Sequence, residues 1–118
     1  MNKCACKGSF LDKFIQPAVL IMLWDEPSYG FRLLSDLKEK GLITDEGVNP
    51  AGFYRALKKM EEQSLISSAW DTESGNKPRR IFTITDDGKK CMKNWRNTLI
   101  EYKDHINLII DTIADTVD

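Results

Sequence analysis

Apolar residues recur every three or four positions along most of this chain, and that rhythm is broken once, by two short runs of alternating character. Ser9 can cap a first helix that carries Phe10 and Phe14, continues into the apolar run 18–24 and ends before Pro27. Pro17 lies inside that pattern and predicts a kink or a break, because its ring removes a donor and crowds the preceding turn. The stretch 26–30 reads as a turn, with Ser28 capping a second helix over about 29–40. Phe31, Leu34 and Leu37 mark its apolar face, and Gly41 stops it. Residues 42–48 form a linker.

Asn49 followed by Pro50 is a strong helix start, an Asn cap with proline at the first helical position. The third helix then runs to about residue 63, with Phe53, Leu57 and Met60 as its buried stripe and Ala56 filling in. Two strand-like runs, 65–71 and 79–85, flank a turn-rich segment and predict a hairpin with a long tip. Thr85 can cap a last helix whose first turn holds Asp86 and Asp87, at the positive end of the helix dipole. That helix extends about 30 residues, or about 45 Å at 1.5 Å per residue. Met92, Trp95, Leu99, Tyr102, Ile106, Ile109 and Ile113 fall along it at spacings of 3, 4, 3, 4, 3 and 4, a sustained heptad seam. So long a stripe on so small a domain calls for a partner helix, and the seam is assigned to homodimerisation.

Composition refines this picture in one respect. The 118 residues carry 17 basic and 18 acidic side chains, a formal charge of -1 that gives no hint of a polyanionic partner. From residue 97 onward, however, Lys103 faces Glu101, Asp104, Asp111, Asp115 and Asp118, leaving -4, so residues 1–96 carry +3. An acidic last helix offsets a basic body. The apolar run 18–24 is far shorter than the about 20 residues that span a bilayer. It is followed by Asp25, Glu26 and Pro27 rather than by a small-residue cleavage site, so no membrane association is expected. Three cysteines, an odd number, suit a reducing compartment, and a cytoplasmic location is expected.

Three helices, a hairpin and a long helix, in that order, match a winged helix-turn-helix with an appended dimerisation helix: mainly α with a small β-hairpin. In that architecture the third helix enters the major groove and the hairpin touches the backbone beside it. Asn49, Tyr54, Arg55, Lys58 and Lys59 lie on the third helix, and Lys77, Arg79 and Arg80 lie on the hairpin. These eight are the candidate DNA-contacting residues, with Arg55 and Lys58 as readers of base edges and Tyr54, Lys59, Arg79 and Arg80 on phosphates. A solvated helix face and an exposed hairpin tip carry charge in many proteins, so the cations by themselves do not decide the matter.

Three segments add a resemblance. Residues 26–33, EPSYGFRL, look like the PadR-family segment usually written GPSHGYEL. Residues 49–61, NPAGFYRALKKME, resemble that family's recognition helix, SPGTLYRALRRLE. Residues 78–88, PRRIFTITDDG, are similar to its wing and exit, PRRYYRLTEEG. Together the matches span about residues 14–90. Gly52 stands where the family has a threonine, Ala51 where it has a glycine, and Tyr29 where histidine is common. The resemblance implies a sequence-specific DNA-binding transcriptional regulator, of repressor sign, acting as a homodimer on double-stranded DNA. The pattern of elements divides the chain into a tail at 1–8, a DNA-binding domain at 9–85 and a dimerisation helix at 86–118. Some relatives respond to drugs through aromatics on the C-terminal helices, so Trp95, Leu99 and Tyr102 are candidates for a small hydrophobic effector between protomers. Plain dimer core is the commoner use of such positions. A winged-helix module that docks protein rather than DNA is the rival class, and the clustering of Lys77, Arg79 and Arg80 argues against it.

Other chemistry is sparse. Cys4 and Cys6 are spaced too closely for a Cys-x-x-Cys knuckle, and the single His105 lies far along the last helix. Bystander thiols are the expected outcome, against a metal or redox sensor. No Ser/His/Asp set, Gly-rich phosphate loop or HExxH occurs, so no enzyme activity, no cofactor and no metal are expected.

Overall fold

A computed structural model describes residues 14–43, 49–73 and 77–117. Its elements in order are α1 (Ile15–Leu23), β1 (Ser28–Tyr29), α2 (Gly30–Glu39), α3 (Pro50–Glu62), β2 (Ile66–Asp71), β3 (Arg79–Ile84) and α4 (Asp86–Val117). The fold is mainly helical with a small antiparallel sheet, and α2, α3 and the β2–β3 hairpin form a winged helix-turn-helix.

Pro17 is the third residue of α1, where a backbone N–H has no intrahelical partner to lose. It therefore sits in the first turn of a helix that begins at Ile15, in keeping with the break, rather than the kink, that the proline allowed. Ser9 and Phe10, assigned to that helix, lie outside the described residues. α1 touches α2, α3, α4 and β3, and Ala18, Val19, Leu20 and Leu23 are all buried.

Residues 28–29 form a strand, not a cap: Ser28 pairs with Phe82 and Tyr29 with Ile81, which makes the sheet three-stranded in the order β1-β3-β2. A two-residue strand has no period to detect, and its partner lies some 50 residues away. Phe31 is 71% exposed, and Leu33 joins Leu34 and Leu37 in the core instead. The helix begins at Gly30, and Phe31 stands about 100° around the axis from that buried glycine.

The start of α3 follows the sequence closely. Asn49 accepts a hydrogen bond from the Gly52 N–H at 2.7 Å through Oδ1, and Pro50 follows as the first helical residue. Phe53, Leu57 and Met60 are buried, and Phe53 is completely enclosed. Ser64, just past the C-cap, has a φ of 63°, the left-handed conformation that commonly ends a helix.

In the hairpin, Ile66 faces Ile84, Ser68 faces Phe82 and Trp70 faces Arg80. Side chains alternate along a strand, so these pairs share one face of the sheet. The face is buried at Ile66 and Ile84 and open to solvent at Trp70, so the wing extends past the core. Thr85 caps α4, its hydroxyl accepting from the Gly88 N–H at 2.9 Å and lying 2.7 Å from the Ser64 carbonyl oxygen. Gly88 is buried against the backbone of Leu65, and a Cβ there would stand 2.1 Å from its carbonyl oxygen.

α4 is 32 residues long and has two halves of different character. Cys91, Met92 and Trp95 pack against the core, and the Trp95 indole N–H donates to Gln16 Oε1 at 2.7 Å. Phe14 meets the Trp95 ring edge-on, with centroids 6.4 Å apart. The first turns of the seam thus pack in part on their own chain, against Phe14 and against Gln16 of α1. From residue 100 every described position is exposed, among them Tyr102, Ile106, Ile109 and Ile113.

Candidate nucleic-acid interface

With Phe53, Leu57 and Met60 turned inward, the 3.6-residue period turns the other faces of α3 outward. Tyr54, Arg55, Lys58 and Lys59 are all exposed there, Tyr54 at 44%. Arg55, Lys58, Lys59 and Lys77 make no ion pair among the described residues, so their charges remain available to a partner. Gly30 allows the Tyr54 ring to lie close against the start of α2, since a Cβ at that position would come within 2.4 Å of it. Asn49 stands at the same end of the helix, with Oδ1 committed to the cap.

The wing treats its two arginines differently. The Arg79 guanidinium lies over the Tyr29 ring, 4.6 Å from its centroid, and no carboxylate among the described residues pairs with it. Arg80, one residue on, points to the opposite face and meets α3. Its Nη2 donates to Glu61 Oε1 at 3.1 Å and its Nε to Ser68 Oγ at 2.7 Å, while Ser68 Oγ donates to Glu61 Oε2 at 2.5 Å. Arg80 was expected on phosphates together with Arg79, and the structure instead gives it a place in a three-residue clamp between wing and α3. No local signal in the sequence marks Glu61 for this role. Strand alternation in β3 and the helix period of α3 could have suggested the pair, had the hairpin register been known.

The Trp95, Leu99 and Tyr102 group is only partly assembled within one chain. Trp95 is engaged by Gln16 and Phe14, and Tyr102 lies 6.4 Å from Phe14 between ring centroids. Cys4 and Cys6 lie outside the described residues. Burial pushes the Cys91 thiol pKa up, and its hydrogen-bonded neighbour Trp95 pulls it partly back.

A helix-turn-helix with an exposed cationic third helix, a wing beside it and a long following helix defines a winged-helix regulator. The sequence model of the transcriptional regulator PadR-like family matches residues 19–94, and this chain belongs to that family. It is a transcriptional regulator and not an enzyme. A PadR family transcription regulator from Clostridium difficile superposes with a TM-score of 0.70 at 22% identity, over 82% of this chain and 98% of that one. A PadR-like regulator from Bacillus cereus gives 0.71 at 20% identity, covering 87% of this chain and 97% of that one. Bacillus subtilis PadR, solved in complex with operator DNA, gives 0.60 at 22% identity over 69% of this chain and 45% of that one. Among curated proteins the sequence finds no match. No helix among the described residues is long and apolar enough to cross a membrane.

Proposed function

We propose that this chain is a cytoplasmic, homodimeric repressor whose residues 9–85 bind double-stranded DNA and whose residues 86–118 join two copies. One observation carries the DNA-binding part: four cations on α3 and the wing, Arg55, Lys58, Lys59 and Lys77, are exposed on adjacent elements without ion-pair partners among the described residues. Neutralising phosphates with such side chains releases condensed counterions, the main source of affinity for duplex DNA. Arg55 and Lys58 would read base edges from the major groove. Tyr54, Lys59, Lys77 and Arg79 would hold the backbone, and Asn49 would present its amide at the helix start. Repressor sign agrees with a protein that acts by occupying its operator. The test is recovery of bound fragments from the source genome, followed by titration of the recovered sites and of scrambled duplex across a salt series. Equal, salt-insensitive binding to both, or none, would overturn the reading.

Dimerisation rests on the outer half of α4. Helices in proteins draw most of their stability from packing an apolar face, and this one exposes Tyr102, Ile106, Ile109, Ile110 and Ile113. The apolar arc widens from Leu108 through Ile110, about 200° around the axis, more than a single facing helix covers. Release by a small hydrophobic effector completes the reading, with Leu99 and Tyr102 as the side chains that a ligand between protomers would meet beside Trp95. Titration with apolar aromatic compounds, read as loss of operator affinity, tests it. A broad panel without effect would overturn it.

A further inference from the structure

We infer that the cleft between α3 and the wing is itself a binding site for a planar aromatic molecule bearing one negative charge. The cleft is open to solvent on one side and has a volume of about 840 Å³, within the range that holds small ligands. The hairpin continues beyond its last buried pair, and Trp70 on that extension lines the cleft together with Tyr54 and Leu57 of α3. Five rings border it: Tyr29, Phe31, Tyr54, Trp70 and Phe82. Two of them have no role in the core, Phe31 at 71% exposure and Trp70 at 65%. Apolar rings left in water on two separate elements, facing one space, offer stacking surfaces to a flat guest.

The charges around the cleft specify the guest further. Arg80 and Glu61 offset each other at 3.1 Å. Lys58 and Arg79 remain against Glu62, one net positive charge beside an apolar floor of Leu57 and Phe82. A single anionic group on an aromatic frame complements that arrangement. The lining includes Tyr54, Lys58 and Arg79, so a bound ligand and a DNA backbone would compete for the same side chains. That consequence rests on the DNA-binding reading; ligand binding itself does not.

The experiment uses the full-length chain, with naphthalene carboxylate as the probe and its neutral amide as the comparison. Calorimetry should give one saturable site per chain, and tryptophan emission should be quenched. The quench should vanish in Trp70→Phe and persist in Trp95→Phe. Phe31→Ala, at an exposed position outside the core, should weaken binding by about 3–10-fold, the worth of one lost aromatic stack. The amide should bind about tenfold more weakly than the carboxylate, and Lys58→Gln should remove that difference. Circular dichroism confirms that each variant is folded. No saturable heat at millimolar probe, a quench that follows Trp95, or equal affinity for acid and amide would each overturn the assignment. A chain that takes the carboxylate yet binds no duplex would support the cleft and overturn the DNA reading, so the two fail separately.

Discussion

Arg79 and Arg80 are adjacent in sequence, and strand alternation sends them to opposite faces of the wing. Arg79 rests on a neutral ring, whereas Arg80 is matched by a carboxylate. Replacing Arg79 with alanine should flatten the dependence of log affinity on log salt by about 1 unit. Arg80→Ala should change that slope by less than half as much, since its charge already has a partner, and should instead loosen the wing. Salt titrations of both variants on one duplex decide this, and equal slope changes would count against the clamp. Gly88 makes a second case. Its missing Cβ lets the first turn of α4 touch the Leu65 carbonyl, so Gly88→Ala should cost about 3 kcal/mol in thermal or denaturant unfolding, the upper end for an overpacked site. The Cys91 thiol supplies a third. Because burial raises its pKa, its thiolate is scarcer at neutral pH than that of an open cysteine. In a background lacking Cys4 and Cys6, alkylation of Cys91 should be slow at pH 7. It should accelerate only at a pH above that at which the unfolded chain reacts.

At the scale of elements, local signals succeeded where one side chain settles one backbone question. Asn49 and Pro50 start α3, Gly41 ends α2 with a φ of 75°, and Thr85 caps α4. They failed at β1, where pairing with β3 depends on residues far along the chain. They failed again at Phe31, whose spacing from Leu34 suits burial until the helix phase is fixed by Gly30, Leu33 and Leu37. The face of α3 was legible, because a fixed period and three buried apolar residues leave its cations only one side to occupy. Loss of a base-reading side chain from that face should relax discrimination at one operator position by about 1–3 kcal/mol. Lys58→Ala or Arg55→Ala, compared on operator and scrambled duplex, measures this, and uniform loss on both would move those residues to the phosphates.

For the whole molecule the decisive feature is the outer half of α4. It lengthens the molecule to 63 Å along its longest axis, and a second copy would bury its apolar side chains. Ile106→Glu and Ile109→Glu together should dissociate a dimer, because charges buried without partners cost several kcal/mol. Leu99 lies nearer the core and would confound folding with assembly. Sedimentation at micromolar concentration reads the outcome, and a monomeric wild type would refute dimerisation. By itself the sequence determined the order of the main helices and the hairpin, the ends of α3, the length of α4 and the exposed cationic face of α3, because each follows from periodicity or from a cap within a few residues. Only the tertiary structure decided that Pro17 lies in the first turn of a helix, that Ser28 and Tyr29 join the sheet and that Trp95 packs in part against its own chain's core. It alone decided that Glu61 holds Arg80 and that five rings share one cleft. Those outcomes depend on which distant segments meet, and chain folding sets that through packing of the shared core and the register of the hairpin, neither of which is written in local spacing.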